Sequence, residues 1–262
     1  MNSPDKETSV IFSGFKELDH LTSGFGKGDL VVVGSRPAVG KTSFVLSVVE
    51  NVLLRTLVPV NTYIFTLEYP KSLFSLRLLA LAAEKNFYEI RDGELSEKER
   101  QEIGHLREEL EEAPVIIDDT AAVTPGHIRD VLLSMDSDGK KPELVIIDYL
   151  QLMNCGGECA WRGEEIEMIM RSLKDIAKEC AVPIVVTSQL RRRDEATFRP
   201  LLSDFEPNIE PYADTVILIG RESMHKADGD KGKAELFVPK NRNGETGRIG
   251  LSFEEYGRFR EG

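Results

Sequence analysis

Apolar residues along this chain fall into two repeating patterns. Short runs that are apolar almost throughout occur at 30–33, 62–67, 114–117, 144–147, 183–187 and 215–219. Runs of that kind, rich in β-branched residues, suit strands buried on both faces of a parallel sheet. Between them, apolar positions recur at helical spacing. Phe44, Val45, Leu46, Val48 and Val49 form one such set, and Leu73, Leu76, Leu79 and Ala80 a second. Further sets are Ile103, Leu106 and Leu110, then Ile128, Val131, Leu132 and Met135, then Ile166, Ile169, Met170, Leu173, Ile176 and Ala177. Strands alternating with helices predict an α/β fold, a mostly parallel central sheet flanked by helices. Two later runs, 234–238 and 248–253, bracket Asn243-Gly244, a hairpin signal that predicts an antiparallel C-terminal extension.

Local chemistry sharpens the boundaries. Phe15, Leu18 and Leu21 share a helical face, and the glycines from Gly24 to Gly28 make a turn before the first strand. Pro70 can open a helix. Ser96-Glu-Lys-Glu99 is a capping box, and Thr124-Pro125 caps and starts another helix. Arg171, Lys174 and Lys178 fall on or beside the polar side of the helix over 162–180.

Composition narrows the class. With 262 residues and 41% hydrophobic content, the chain can bury a sizeable core. Residues 1–10 are polar and read as a tail, leaving 11–262 as the domain. No run of about 18 apolar residues occurs, so no membrane partner is expected, and the start of the chain has no apolar signal core. Three cysteines suit a reducing compartment, and a cytoplasmic location is the expectation. A net charge of −12 argues against a broad basic surface for nucleic acid, although a local basic groove stays compatible. Arg191, Arg192, Arg193 and Arg199 form the one dense basic cluster, readable as a solvated loop or as a contact. It lies in 191–212, a segment whose Pro200, Pro207 and Pro211 make it extended. Cys155 and Cys159, without a second pair or a nearby histidine, are a weak metal signal. His105 reads as a surface residue.

The chemistry-bearing stretch is 35–43, Ser35-Arg36-Pro37-Ala38-Val39-Gly40-Lys41-Thr42-Ser43, between a buried strand and an apolar helix. Strand, loop, Gly-Lys-Thr and helix are the context of a phosphate-binding P-loop. Backbone N–H groups of the loop and the helix N-terminus would wrap a phosphate chain. Gly40 permits close approach, Lys41 would reach the β- and γ-phosphates, and Thr42 would ligate Mg²⁺. The first position of the usual pattern is Ser35 rather than glycine, with Gly34 one residue early. A second stretch, Leu144-Val-Ile-Ile-Asp148, has the form of a Walker B strand delivering a carboxylate to the metal. Glu68 follows the 62–67 strand at the ligand-binding rim of the sheet. There it is either the base for an attacking water or a carboxylate favoured by a helix N-terminus. Ser188-Gln189 ends another strand at that rim, where an amide can contact a γ-phosphate. Lys240 and Arg242 lead into the Asn-Gly turn, as solubilising charges or as donors to a neighbour's nucleotide.

Together these residues resemble the C-terminal RecA-like ATPase domain of DnaB-type replicative DNA helicases, from about Phe12 to Arg260. The resemblance is carried by 35–42, Thr-Leu-Glu-Tyr-Pro at 66–70, Ile-Ile-Asp-Tyr-Leu-Gln-Leu-Met at 146–153, Ser-Gln-Leu at 188–190 and Lys-Asn-Arg-Asn-Gly-Glu-Thr-Gly at 240–247. It implies ATP and Mg²⁺ as ligands, Glu68 as the catalytic base, Asp148 as the Walker B carboxylate and Gln189 as the γ-phosphate sensor. Arg242 would be an arginine finger used in a neighbouring subunit, with Lys240 beside it. That implies a homo-oligomer, as in a hexameric ring, moving 5′–3′ on single-stranded DNA with replication-protein partners.

Two features depart from the family. Only about ten polar residues precede the match, where the family has an N-terminal domain and linker. The family's DNA-contacting loop normally reads Asp-Leu-Arg-Glu-Ser-Gly-x-Ile-Glu; here it reads Asp204-Phe-Glu-Pro-Asn-Ile-Glu210, two residues shorter. Glu206 stands where a phosphate backbone would pass, which is electrostatically unfavourable. The alternative expectation is an accessory, nucleotide-gated ATPase that binds ATP without unwinding DNA by itself. A recombinase- or clock-type ATPase fits the 146–153 and 240–247 stretches less well.

Overall fold

The protein is described by a computed structural model covering residues 10–191, 198–225 and 228–261. In chain order its strands are β1 (Leu30–Ser35), β2 (Thr62–Thr66), β3 (Val115–Asp118), β4 (Leu144–Asp148), β5 (Ile184–Gln189), β6 (Thr215–Gly220), β7 (Lys233–Asn241), β8 (Gly247–Phe253) and β9 (Phe259–Glu261). They form one sheet in the order β3-β2-β4-β5-β1-β6-β7-β8-β9. Pairing is parallel from β3 to β6 and antiparallel from β6 to β9. Helix α1 (Lys16–Thr22) precedes β1, and α2 (Lys41–Leu54), α3 (Lys71–Ala82), α4 (Phe87–Asp92), α5 (Glu97–Glu112), α6 (Pro125–Ser137) and α7 (Arg162–Glu179) lie in the connections between β1 and β5.

In β1, β2, β4, β5 and β6 the unbroken apolar runs are explained by burial on both faces, whereas the run over 114–117 forms the edge strand β3, which is only partly buried and exposes Ile116. Along β1, Val31 and Val33 pack with Phe44, Val45 and Val49 of α2, while Leu30 and Val32 pack with the α7 side. The α7 stripe is the one its spacing predicts, with Ile166, Ile169, Met170 and Leu173 fully buried. Sequence signals for helix starts hold as well. Ser96 and Glu99 cap α5 reciprocally, and the Thr124 hydroxyl accepts from the His127 N–H at the start of α6. Among the described residues no helix is long and apolar enough to cross a membrane.

The structure refines two readings and adds two elements. β7 and β8 form the expected antiparallel hairpin around Asn243-Gly244, but its connection is longer than that pair, because β7 continues to Asn241 along β6 while its pairing with β8 closes at Val238↔Gly247. The tip is tied down. The Asn241 amide donates to the Leu21 and Glu245 carbonyls, and a Cβ on Gly244 would come within 2.5 Å of the Leu21 oxygen. Lys174, on or beside the polar side of α7, is engaged in an ion pair. Its Nζ contacts Asp214 at 2.5 Å and donates to the Gly28 carbonyl at 2.7 Å. The short α4 and the strand β9 are additions, each too brief for a periodic signal. Residues 1–9, Arg192 and Arg193 lie outside the described residues.

The added strand is fastened through a buried charge. Glu50, on the α2 helix, has no exposed surface and meets Arg258 at 2.6 Å, just before β9. Arg55 reaches the same carboxylate at 2.9 Å from a half-exposed position. Removing one partner of a buried pair leaves the other uncompensated, which costs about 3–5 kcal/mol. With Arg55 remaining, Arg258→Met is expected to lower stability by about 3 kcal/mol in urea unfolding. A loss below about 1 kcal/mol, the scale of an exposed pair, would contradict this burial.

Candidate functional site

Parallel register brings the chemistry to one rim. Ser35 at the end of β1 pairs with Gln189 at the end of β5, and Thr66 of β2 pairs with Asp148 of β4. All four strands run the same way, so the loops that leave them, including Glu68 and the segment 36–40, open on the same side. β5 lies between β1 and β4, so Asp148 reaches the P-loop helix from two strands away.

That reach is direct. The Thr42 hydroxyl donates to Asp148 Oδ2 at 2.8 Å, and the Thr187 hydroxyl of β5 donates to Oδ1 at 2.5 Å. Asp148 is fully buried, and burial pushes its carboxyl above the ordinary value against the pull of both hydroxyls and of Lys41. Lys41 is itself nearly buried, which lowers its ammonium, while Asp148 and Glu68 act to raise it. The Lys41 ammonium also sits 5.5 Å from the centre of the Tyr149 ring. Glu68 is exposed beyond β2, close enough to Lys41 to act on its charge. The Thr66 hydroxyl donates to the Tyr69 carbonyl at 2.9 Å and so shapes the turn that presents Glu68.

Gly40 has φ 120°, a value that L side chains rarely adopt, and α2 begins at the next residue. The first N–H groups of a helix lack partners within it. This helix start, an ammonium and a hard-oxygen pair of hydroxyl and carboxylate make a donor set suited to a phosphate chain with Mg²⁺.

Arg36 lies in the 35–43 loop, where the expected phosphate contact is through the backbone. Its side chain is nearly buried, 3.5 Å from Asp204 and 3.3 Å from His225 Nε2. It therefore points away from the phosphate loop's rim and into the segment that follows β5. Phe205, next to Asp204, packs on β1: a Cβ on Gly34 would lie 2.6 Å from the Phe205 ring. Gly34 thus serves this packing and not the phosphate turn, which accounts for its early position. Glu206 is not a bare anion, since Arg162 of α7 lies 3.6 Å from it. Arg191 and Arg199 are exposed.

Gln189 ends β5 exposed, held by a residue that sequence reasoning passed over. Gln151 accepts from the Gln189 N–H at 3.1 Å and donates to the Ser188 hydroxyl at 3.0 Å and the Gln189 carbonyl at 3.2 Å. Arg77 was also missed. It lies 4.3 Å from the Tyr69 ring centre and acts on the Asp148 charge. Its place in an apolar helical stretch was the available signal.

Lys240 and Arg242 lie at the opposite end of the sheet. The Arg242 N–H donates to the Asp214 carbonyl, and Asp214 in turn bonds Leu30, the first residue of β1. Five residues of strand, about 16 Å, separate that level from Ser35. Arg242 is held there by Asp214 at 3.4 Å and by the Pro211 carbonyl at 2.9 Å, and Lys240 donates to the Glu210 carbonyl at 2.6 Å.

A family model described as the DnaB-like helicase C terminal domain matches residues 10–261. The replicative DNA helicase DnaB of Geobacillus stearothermophilus is 34% identical over 266 residues, covering 99% of this chain and 58% of that protein. A probable replicative DNA helicase of Trieres chinensis is 35% identical over 253 residues, covering 93% of this chain and 55% of that protein. The chain thus spans about half the length of the curated relatives it matches. Among solved structures, the ATPase domain of G40P superposes with a TM-score of 0.88 at 28% identity, covering 98% of this chain and 93% of that one. A DnaB-like replicative helicase, described with its interactions with primase, gives 0.89 at 28% identity over 99% of this chain and 65% of that one.

The raised Asp148 carboxyl has a thermal consequence. A carboxyl whose folded pKa is raised costs stability as pH climbs above its ordinary value of 3.8. Asp148→Asn is expected to raise the unfolding midpoint at pH 7 by about 2 °C or more, with the gain shrinking toward acid pH. A lowered midpoint at pH 7 would mean that the two hydroxyl bonds outweigh the burial.

Proposed function

The chain belongs to the DnaB-like helicase C-terminal domain family, and on that premise we propose that it is an ATP-hydrolysing helicase or translocase core acting on single-stranded DNA. The observation that carries this reading is the buried Thr42–Asp148 contact beside Lys41 at the N-terminus of α2. On this reading the backbone of 35–43 wraps the triphosphate and Lys41 lies against the β- and γ-phosphates. Thr42 and Asp148 would hold Mg²⁺, which neutralises phosphate charge when bound. Glu68 takes the proton of the attacking water, its exposure leaving it open to solvent on one side and to Lys41 on the other. Gln189 contacts the γ-phosphate, and Gln151 fixes the strand end that carries it.

Arg242 acts in a neighbouring copy. Its level at the far end of the sheet from its own P-loop supports use in trans, and with it a homo-oligomeric ring. Lys240 stands beside it. Residues 11–262 then form a single RecA-like ATPase domain, and partners among replication proteins follow from the relatives' names.

The accessory reading, an ATPase that binds nucleotide without unwinding, is favoured by the acidic segment 204–210. The pairing of Glu206 with Arg162 weakens the electrostatic objection to DNA without supplying a cation.

Lys41→Ala is expected to lower Mg-ATP hydrolysis by about 100-fold or more, since a preorganised donor to developing phosphate charge is lost. Hydrolysis at the original rate would overturn the site. Hydrolysis measured across protein concentration, with and without single-stranded DNA at low salt, separates the two readings. Stimulation that grows with concentration supports the assembling motor. Turnover indifferent to DNA supports the accessory ATPase.

A further inference from the structure

The segment between β4 and α7 carries a feature that nucleotide chemistry does not use. Cys155 and Cys159 bring their sulfurs to 2.6 Å, both half-buried and both free thiols. The loop is built to hold them together. The Gly156 N–H donates to the Asn154 side chain at 2.8 Å, and the Asn154 N–H donates to the Val123 carbonyl at 3.1 Å. Cys155 also donates to the Gly157 carbonyl at 3.1 Å, and the Ala160 N–H donates to Glu164 at 2.8 Å. Cys159 further lies 3.7 Å from the Met168 sulfur on α7. The third cysteine, Cys180, is buried at the far end of α7 and takes no part.

We propose that Cys155 and Cys159 form a reversible thiol–disulfide exchange site whose reactant is a low-molecular-weight disulfide. Two thiols held this close need only a small sulfur displacement to reach a bond of about 2.0 Å. The Cys155 thiolate attacks one sulfur of the external disulfide, forming a mixed disulfide and expelling one thiolate. The Cys159 thiolate then attacks the Cys155 sulfur, forming the internal disulfide and expelling the second. The two cysteines lose two protons and two electrons together, and the external disulfide becomes two thiols. The hydrogen bond with Cys155 pushes the Cys159 thiol up to about 11, which keeps Cys159 protonated during the first attack; that bond is lost once Cys155 enters the mixed disulfide.

Closure of the pair constrains a segment tied to the nucleotide rim. Arg162, immediately after the loop, donates to the Gln151 carbonyl at 3.0 Å, and Gln151 holds the end of β5. The site itself stands on sulfur geometry and does not depend on the proposed ATPase function.

The test incubates the full chain with glutathione couples of increasing oxidised fraction. Samples are acid-quenched, alkylated with N-ethylmaleimide in denaturant and read by peptide mass. The expected product is an internal Cys155–Cys159 disulfide, about two hydrogen masses lighter, with Cys180 still alkylated and full reversal by dithiothreitol. The Cys159→Ser variant is expected to accumulate glutathione on Cys155, an adduct absent from the unaltered chain at the same ratio. Alkylation of both thiols at the most oxidising ratio would overturn the proposal. So would equal glutathione adducts in the variant and the unaltered chain.

Discussion

A carboxylate with no exposed surface must be held by donors, and Asp148 is held by hydroxyls from two other elements. Thr42 reaches it from the first turn of α2, and Thr187 from β5. This contact closes the distance between the β1 loop and β4, which the sheet order separates by one strand. The loop that precedes α2, the charge state of Lys41 and the position of Glu68 all refer back to it. Its cost is electrostatic, because burial opposes ionisation at the pH where a charged carboxylate is useful.

The parallel part of the fold was readable because its strands other than the edge strand β3 are buried on both faces. An apolar run such as Leu30 to Val33 then has no polar interruption to blur it. The rim was readable for the same reason: each run ends abruptly in a polar residue, as at Asp148 and Gln189. What escaped is non-local. Gly34 looks like a misplaced P-loop glycine until Phe205, far along the chain, is found against it. The Arg36 guanidinium meets Asp204 and His225, contacts that no local pattern announces. Asn243-Gly244 marks the β7–β8 hairpin, but the length of its connection follows from β6 capturing the end of β7. Gln151 lies in the 146–153 stretch, but its role carried no signal because its partners are the end of a different strand.

Those same non-local contacts describe how the segment after β5 is anchored. Phe205 rests on β1, Asp204 meets Arg36 just beyond the end of that strand, and Glu206 meets α7. A shift of the 36–40 loop therefore acts on residues 204–206 through the Arg36–Asp204 contact. Backbone bonds reinforce the link, since the Arg191 N–H donates to the Asp204 carbonyl and the Leu190 N–H to the Ser35 carbonyl. In the proposed motor, this is the route by which nucleotide state reaches the segment resembling a DNA-contacting loop.

The proposal turns on the position of Arg242, about 16 Å of strand away from the P-loop level of its own chain. Mixing two inactive variants tests it most directly. Lys41→Ala keeps the arginine and loses the phosphate lysine, whereas Arg242→Ala does the reverse. If the site is completed between copies, a mixture of the two restores part of the ATP hydrolysis that each lacks alone, and restoration requires concentrations at which copies assemble. A mixture under assembling conditions no more active than the sum of its parts would contradict use of Arg242 in trans.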